Sequence, residues 1–181
     1  DWVINALVID AKTPGRIVMG TEKLGVMVSD TAGKQFRSAN DGFFHRQILA
    51  LALDRERPER VLAVLANAPE TVLATDDAGR SWKPLGPGLK AEAVRRVYAV
   101  PDGWLAALDR GGLMRYDAGK SAWKRVGTVT GEPAFETESN APPKKRKSSP
   151  PKKIIGPRLL NLVVLDMAFT RDAWYAATND G

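Results

Sequence analysis

An octapeptide pattern recurs along the chain and constrains its fold more than any other feature. Its clearest copy is Thr75-Asp76-Asp77-Ala78-Gly79-Arg80-Ser81-Trp82. The pattern is Ser/Thr-x-Asp-x-Gly-x-x-Trp. An earlier copy reads Ser29-Asp30-Thr31-Ala32-Gly33-Lys34-Gln35-Phe36, and a later one Arg115-Tyr116-Asp117-Ala118-Gly119-Lys120-Ser121-Ala122-Trp123. The closing aromatics lie 46 and then 41 residues apart. In the first copy Thr31 stands at the Asp position and Phe36 at the Trp position. In the third, Arg115 replaces Ser/Thr and one extra residue separates Gly119 from Trp123.

Independent landmarks keep the same register. Asp10 precedes Asp54 by 44 residues, and Pro14 precedes Pro58 by 44. Each period reads as short apolar runs cut by Gly, Pro and Asp turn signals. The runs are Ile4 to Ile9, Arg16 to Gly20 and Val26 to Val28, then Ile48 to Leu53, Val61 to Leu65 and Thr71 to Ala74. The third repeat has Val94 to Val100, Trp104 to Leu108 and Leu113 to Arg115. A fourth starts at Leu160 to Leu165 and continues through Trp174 to Ala177. Helical periodicity is nearly absent, and residues 88–97 read as a connection running into a strand. Short strands repeating every 40 to 50 residues imply an all-β fold, a β-propeller of four-stranded antiparallel blades. The expected division is residues 1–43, 44–87 and 88–126 as three blades, 127–158 as a flexible insertion, and 159–181 as the start of a fourth.

The octapeptide suits a tight turn between antiparallel strands. Its Asp accepts turn amides, its Gly supplies a positive φ, and its hydroxyl satisfies another backbone group. The terminal ring is then buried between neighbouring sheets. Expected to carry these structural roles are Ser29, Gly33, Phe36, Thr75, Asp77, Gly79, Trp82, Asp117, Gly119 and Trp123. Asp76 and Asp77 are therefore read as turn residues, not as an acid/base pair.

This pattern resembles the Asp-box of sialidase-type repeats, found in sialidases, some endoglucanases and xyloglucanases, sortilin-like receptors and photosystem assembly factors. The style is closest to the non-catalytic assembly-factor and sortilin-like members. The resemblance covers residues 1–126 and 159–181 and implies that the box sits between the third and fourth strands of each blade, away from the binding face. It implies a scaffold that binds a protein or a glycan. Asp-box propellers are commonly exported, so it also implies a secreted or periplasmic protein. The alternative is a glycoside hydrolase, which needs two carboxylates at a defined separation. At the place where xyloglucanase-like members carry a catalytic Asp this chain has Glu22, so Glu22 is the one catalytic candidate. Asp180 is paired with it as a test position.

Composition removes other chemistries. The 181 residues include no cysteine and one histidine, which excludes thiol catalysis, cysteine metal sites and a multi-histidine centre. His45 reads as a strand-end surface residue beside Phe43 and Phe44. No cofactor or metal is implied. The longest apolar run, Ile48 to Leu53, is too short for a span of roughly 20 residues. The net charge of +6 is local: residues 142–158 hold seven Lys and Arg and no acid, and without them the balance is −1. Within that segment Lys144, Lys145, Arg146, Lys147, Lys152 and Lys153 are polyanion-contact candidates, and Pro143-Lys144-Lys145-Arg146-Lys147 is similar to a nuclear localisation signal. The segment reads chiefly as a solvated loop. Three and a half repeats do not close a ring, so the remaining blades are expected from a longer chain or from a second copy.

Overall fold

Runs of Val, Ile, Leu and Ala broken every few residues by Gly, Pro or Asp form strands that reverse at each break. A computed structural model describes residues 2–101, 103–129, 158–159, 162–170 and 173–179. The first sheet contains β1 (Ile4–Ile9), β2 (Ile17–Thr21), β3 (Val26–Ser29) and β4 (Arg37–Ser38). The second contains β5 (Ile48–Leu53), β6 (Val61–Leu65), β7 (Val72–Thr75) and β8 (Lys83–Pro84). A short 3-10 turn, Ala91–Ala93, leads into the third: β9 (Val94–Val100), β10 (Gly103–Leu108), β11 (Leu113–Asp117) and β12 (Ala122–Val126). Two strand pairs follow, β13 (Thr128–Val129) with β14 (Arg158–Leu159), and β15 (Val164–Phe169) with β16 (Trp174–Thr178).

Each four-stranded sheet is an antiparallel meander in chain order. The first strands β1, β5 and β9 pack against one another, so they form the inner edges of three stacked blades. The pair β15–β16 packs on the third sheet as the inner half of a fourth blade. The architecture is thus an open arc of a β-propeller. Among the described residues no helix is long and apolar enough to cross a membrane.

Every inner strand carries a bulge at the same point. The register skips between Ile4 and Ala6, Ile48 and Ala50, and Val164 and Asp166, and Arg95 is passed over between Val94 and Arg96. A bulge bends its strand and increases the local twist. Its recurrence shows that these strands are copies of one unit. The fourth copy starts at Val164, four residues after the apolar run at Leu160 suggests. The ladder from Val164↔Thr178 to Phe169↔Trp174 sets that start, and density of apolar residues alone does not.

Side chains fill the space between sheets, not within them. Val18, Val26, Val28, Ala39 and Phe43 meet Leu51, Val61, Ala63, Leu73 and Trp82 across the first gap. Across the second, Ala50, Ala52, Leu62 and Val64 meet Val97, Trp104, Ala106 and Trp123. Trp82 is 3% exposed; its indole N–H donates to Ala39 O at 2.9 Å and its ring meets Phe43 edge-on. Trp123 repeats the bond one blade later, to Leu85 O at 3.1 Å. Each ring thereby fixes a blade to the connection leaving the blade before it. Phe36 is only half-buried, because β1 has no described sheet before it. That open face leaves Leu7 and Ile9 exposed, Ile9 at 65%.

Two sequence expectations fall largely outside the described residues. These are the basic insertion, with Lys144, Lys145, Arg146, Lys147, Lys152 and Lys153, and Asp180. At the ends of the insertion, Thr128 pairs with Leu159 and Val129 with Arg158.

Candidate functional site

A meander places its β1–β2 and β3–β4 turns at one end of a blade and its β2–β3 loop and the connection to the next blade at the other. The two ends differ in chemistry, and the carboxylates gather at the first.

In the second blade the Thr75 hydroxyl accepts the amides of Asp77 and Gly79 and donates to Asp77 Oδ1 at 2.6 Å. Asp77 Oδ1 accepts the amides of Arg80 and Ser81, both at 2.9 Å, and Oδ2 accepts the Ser81 hydroxyl at 2.6 Å. Ala78 and Gly79 take φ of 61° and 80°, the left-handed pair that this reversal requires. Burial opposes the charge on Asp77. The hydroxyls of Ser81 and Thr75 and the amides of Ser81 and Arg80 outweigh it and hold the carboxyl well below the usual carboxylate range.

The first blade builds the same turn with a hydroxyl in place of the carboxylate. Ser29 Oγ accepts the amides of Thr31 and Gly33, and Thr31 Oγ1 accepts the Gln35 amide at 2.9 Å. Ala32 and Gly33 take φ of 53° and 83°.

The third turn departs from the alignment expected from the letters. Tyr116 pairs with Trp123, whereas Ala74 pairs with Lys83, so a continued ladder sets Thr75 opposite Trp82. Tyr116, not Arg115, therefore occupies the Thr75 place. Ser121 takes the left-handed conformation, at φ 46°, and Gly119 does not. Asp117 still closes the turn, accepting the Lys120 amide at 3.1 Å and the Lys124 ammonium at 2.6 Å. The Lys124 hydrogen bond is the main reason its carboxyl is lowered.

The neighbouring acids are also engaged. Asp10 Oδ1 accepts the amides of Lys12 and Thr13, and Asp54 Oδ1 those of Glu56 and Arg57. Arg16 reaches Asp30, and Arg60 reaches Asp76, each at 3.0 Å. Asp76 is thus held by a guanidinium at a blade end while Asp77 folds its own turn. The two do not converge on a common point.

At the opposite end Glu22 is half-buried, and its amide donates to Val3 O at 3.1 Å. No hydrogen bond or ion pair joins its carboxylate to a described residue. Among the described residues no three His, Asp or Glu are grouped to hold a metal ion. His45 is exposed, as expected from its place in the chain. On the inner strands Tyr98 donates to Asp166 at 3.2 Å, and Arg96 lies 3.7 Å from the same carboxylate. Burial, then the charge and hydrogen bond of Asp166, push the Tyr98 phenol up to about 12, so it stays neutral.

A cleft of about 690 Å³ opens at this end of the second blade. Pro69, Glu70, Thr71 and Val72 form one wall, and Pro84, Gly86, Pro87 and Lys90 lie among the residues opposite. The cleft is shallow and open to solvent. Sequence reading missed it. Its signal is a departure from the repeat: where the first blade has Gly25 and Asn40, the second has Thr71 and Gly86. Matching hydrogen bonds set that equivalence. Ala39 donates to Val26 O as Leu85 does to Val72 O, and the Trp82 amide donates to Asp41 O as the Trp123 amide does to Pro87 O.

No family model matches the sequence, and no curated protein matches it. Solved structures do. The GH74 xyloglucanase from Xanthomonas campestris superposes with a TM-score of 0.53 at 16% identity, over 72% of this chain and 23% of that one. YCF48 from Cyanidioschyzon merolae gives 0.53 at 16% identity, over 68% of this chain and 37% of that one. The WD40 repeats of RRP9 give 0.52 at 12% identity, over 72% and 39%. The shared property is the propeller fold, and this chain spans well under half the length of each of these proteins.

Proposed function

We propose that this chain belongs to an Asp-box β-propeller that works as a non-catalytic scaffold and binds a protein segment at the blade end opposite the boxes. One observation carries the reading. The repeated carboxylates hold turn amides and guanidinium groups at one end, while the open cleft lies at the other. The boxes at residues 29–36, 75–82 and 116–123 are blade staples on this reading. A YCF48 structure with a bound D1 peptide has a TM-score of 0.54 to this chain, and the peptide reading is in keeping with it. An exported location belongs to the same proposal.

A glycoside hydrolase is the second reading, favoured by the likeness to GH74 xyloglucanase. A reducing-sugar assay on xyloglucan separates the two. The scaffold reading expects no release by the wild-type chain. Release that disappears in Glu22→Ala overturns it. Binding to an immobilised peptide array, with retention that depends on peptide sequence, is the positive expectation. Contact with polyanions through Lys144, Lys145, Arg146, Lys147, Lys152 and Lys153 is a further part of the proposal. It predicts a salt-sensitive gel shift that is lost on deleting residues 142–153.

A further inference from the structure

One exposed aromatic has no part in the packing between blades. Among the described residues, most exposed large apolar side chains lie on β1 and the two residues before it, or on β15 and β16. There a neighbouring sheet or strand is not described. Phe44 is different. It lies on the connection from β4 to β5, with both flanking blades in place, and is 92% exposed. Leu24, on the β2–β3 loop at the same blade end, is the other exception, at 38%.

The connection is built to hold Phe44 outward. Phe43 turns inward and meets Trp82 edge-on, so the next side chain along points to solvent. Gly42 takes φ 102°, and a Cβ there would collide with Trp82 O. Asn40 pins the start of the connection. Its Oδ1 accepts the Val26 amide at 2.8 Å, and its Nδ2 donates to Leu24 O at 2.9 Å and to Ser38 Oγ at 2.6 Å. Arg46 O accepts the Gly25 amide at 2.9 Å, which sets the far side of the connection against the Leu24 loop. The tip is therefore fixed, and its ring contributes no burial to the fold.

Charge points to what the ring meets. The charged or titratable groups exposed around the tip are Lys23, His45, Arg46 and Asp41, with Glu22 half-buried beside them. The basic segment leaves from this same blade end. β12 runs to it, and the pairing of Val129 with Arg158 just beyond holds both flanks of that segment there. Residues 142–158 hold seven Lys and Arg and no acid. A protruding ring needs a concave apolar partner or a bilayer, and a positive end favours a bilayer with anionic headgroups.

We infer that the Phe44 end of the propeller docks on an anionic lipid bilayer. Phe44 and Leu24 enter the boundary between headgroups and acyl chains, and Lys23 and Arg46 meet the headgroups. The inference goes beyond the scaffold reading: it says which surface the propeller faces, not what the cleft holds.

The test is sedimentation of the full chain with vesicles of phosphatidylcholine alone and of phosphatidylcholine mixed with phosphatidylglycerol. The expected result is salt-sensitive binding to the mixed vesicles only, weakened about tenfold in Phe44→Ser by the loss of the buried ring. The chain has no cysteine, so His45→Cys can carry a single environment-sensitive fluorophore. Its emission should shift to the blue on mixed vesicles, while the same label on Lys34→Cys, at the box end, should not move. No binding to mixed vesicles, equal binding by wild type and Phe44→Ser, or equal shifts at the two labels overturns the inference. Equal binding by Phe44→Ser leaves polyanion contact through the basic segment standing. Retention on a peptide array without vesicle binding leaves the scaffold reading standing and removes the bilayer.

Discussion

The first and second blades follow one backbone plan and differ where it matters. Both have the inner-strand bulge, the Asp-capped first turn, the Arg–Asp pair and the left-handed turn. The first blade closes its upper cleft with Asn40, and the second leaves it open at Gly86. A repeat fold can vary one such position without disturbing the core, because the packing lies between sheets and the cleft lies at their ends. Departures from the repeat are therefore better pointers to function than the repeat itself.

The comparison extends to the box aromatics, where the largest effect is expected. Trp82→Ala should cost about 3–5 kcal/mol, since a buried ring and its bond to Ala39 O are lost. Phe36→Ala, half-exposed, should cost at most about 1 kcal/mol. Urea denaturation followed by circular dichroism measures both, and equal losses would break the view that these rings work by joining a blade to the one before. Next is Asn40→Ala, which strands Val26 N–H and Leu24 O and should cost about 1–3 kcal/mol. A neutral result would mean that water replaces the amide in the first blade without penalty.

Much of this was legible in the sequence, for a physical reason. Strands and their period are written in apolar runs and turn residues, so β5 and β6 follow β1 and β2 at the 44-residue register, and β9 lies where its own apolar run puts it, 46 residues after β5. Three features were not legible. Asp117 aligns by letter with Asp77, but the ladder shifts the third turn by one residue and gives Tyr116 the place of Thr75. Phe36 matches Trp82 in pattern, yet burial depends on the neighbouring blade. The cleft depends on knowing which backbone groups Asn40 satisfies, and a side chain's partners cannot be read from spacing.

Smaller effects sharpen the contrast between the turns. Thr75→Ala removes an acceptor of two amides and should cost about 1 kcal/mol, whereas Tyr116→Phe should be nearly silent. Thermal melts of the two variants test this, and a larger loss in Tyr116→Phe would contradict the turn assignment. The pH dependence follows from Asp77. Its folded carboxyl titrates below its unfolded value, so its contribution is present above roughly pH 4 and fades as pH falls toward the folded value. Asp77→Asn should flatten the acid limb of the stability profile, and an unchanged limb would show that other groups set it. Least of all, Asp76→Asn should cost no more than about 0.5 kcal/mol, because its pair with Arg60 is exposed.

Amide hydrogen exchange at Val26 and Val72 tests the difference between the two blades most directly. These residues occupy equivalent strand positions and are equally buried, at 0% and 2% exposure. Val26 is bonded to Asn40, and Val72 faces an open cleft. Under native conditions Val72 should exchange at least about tenfold faster than Val26. Equal protection of the two amides would show that the second-blade site is already filled from within the chain.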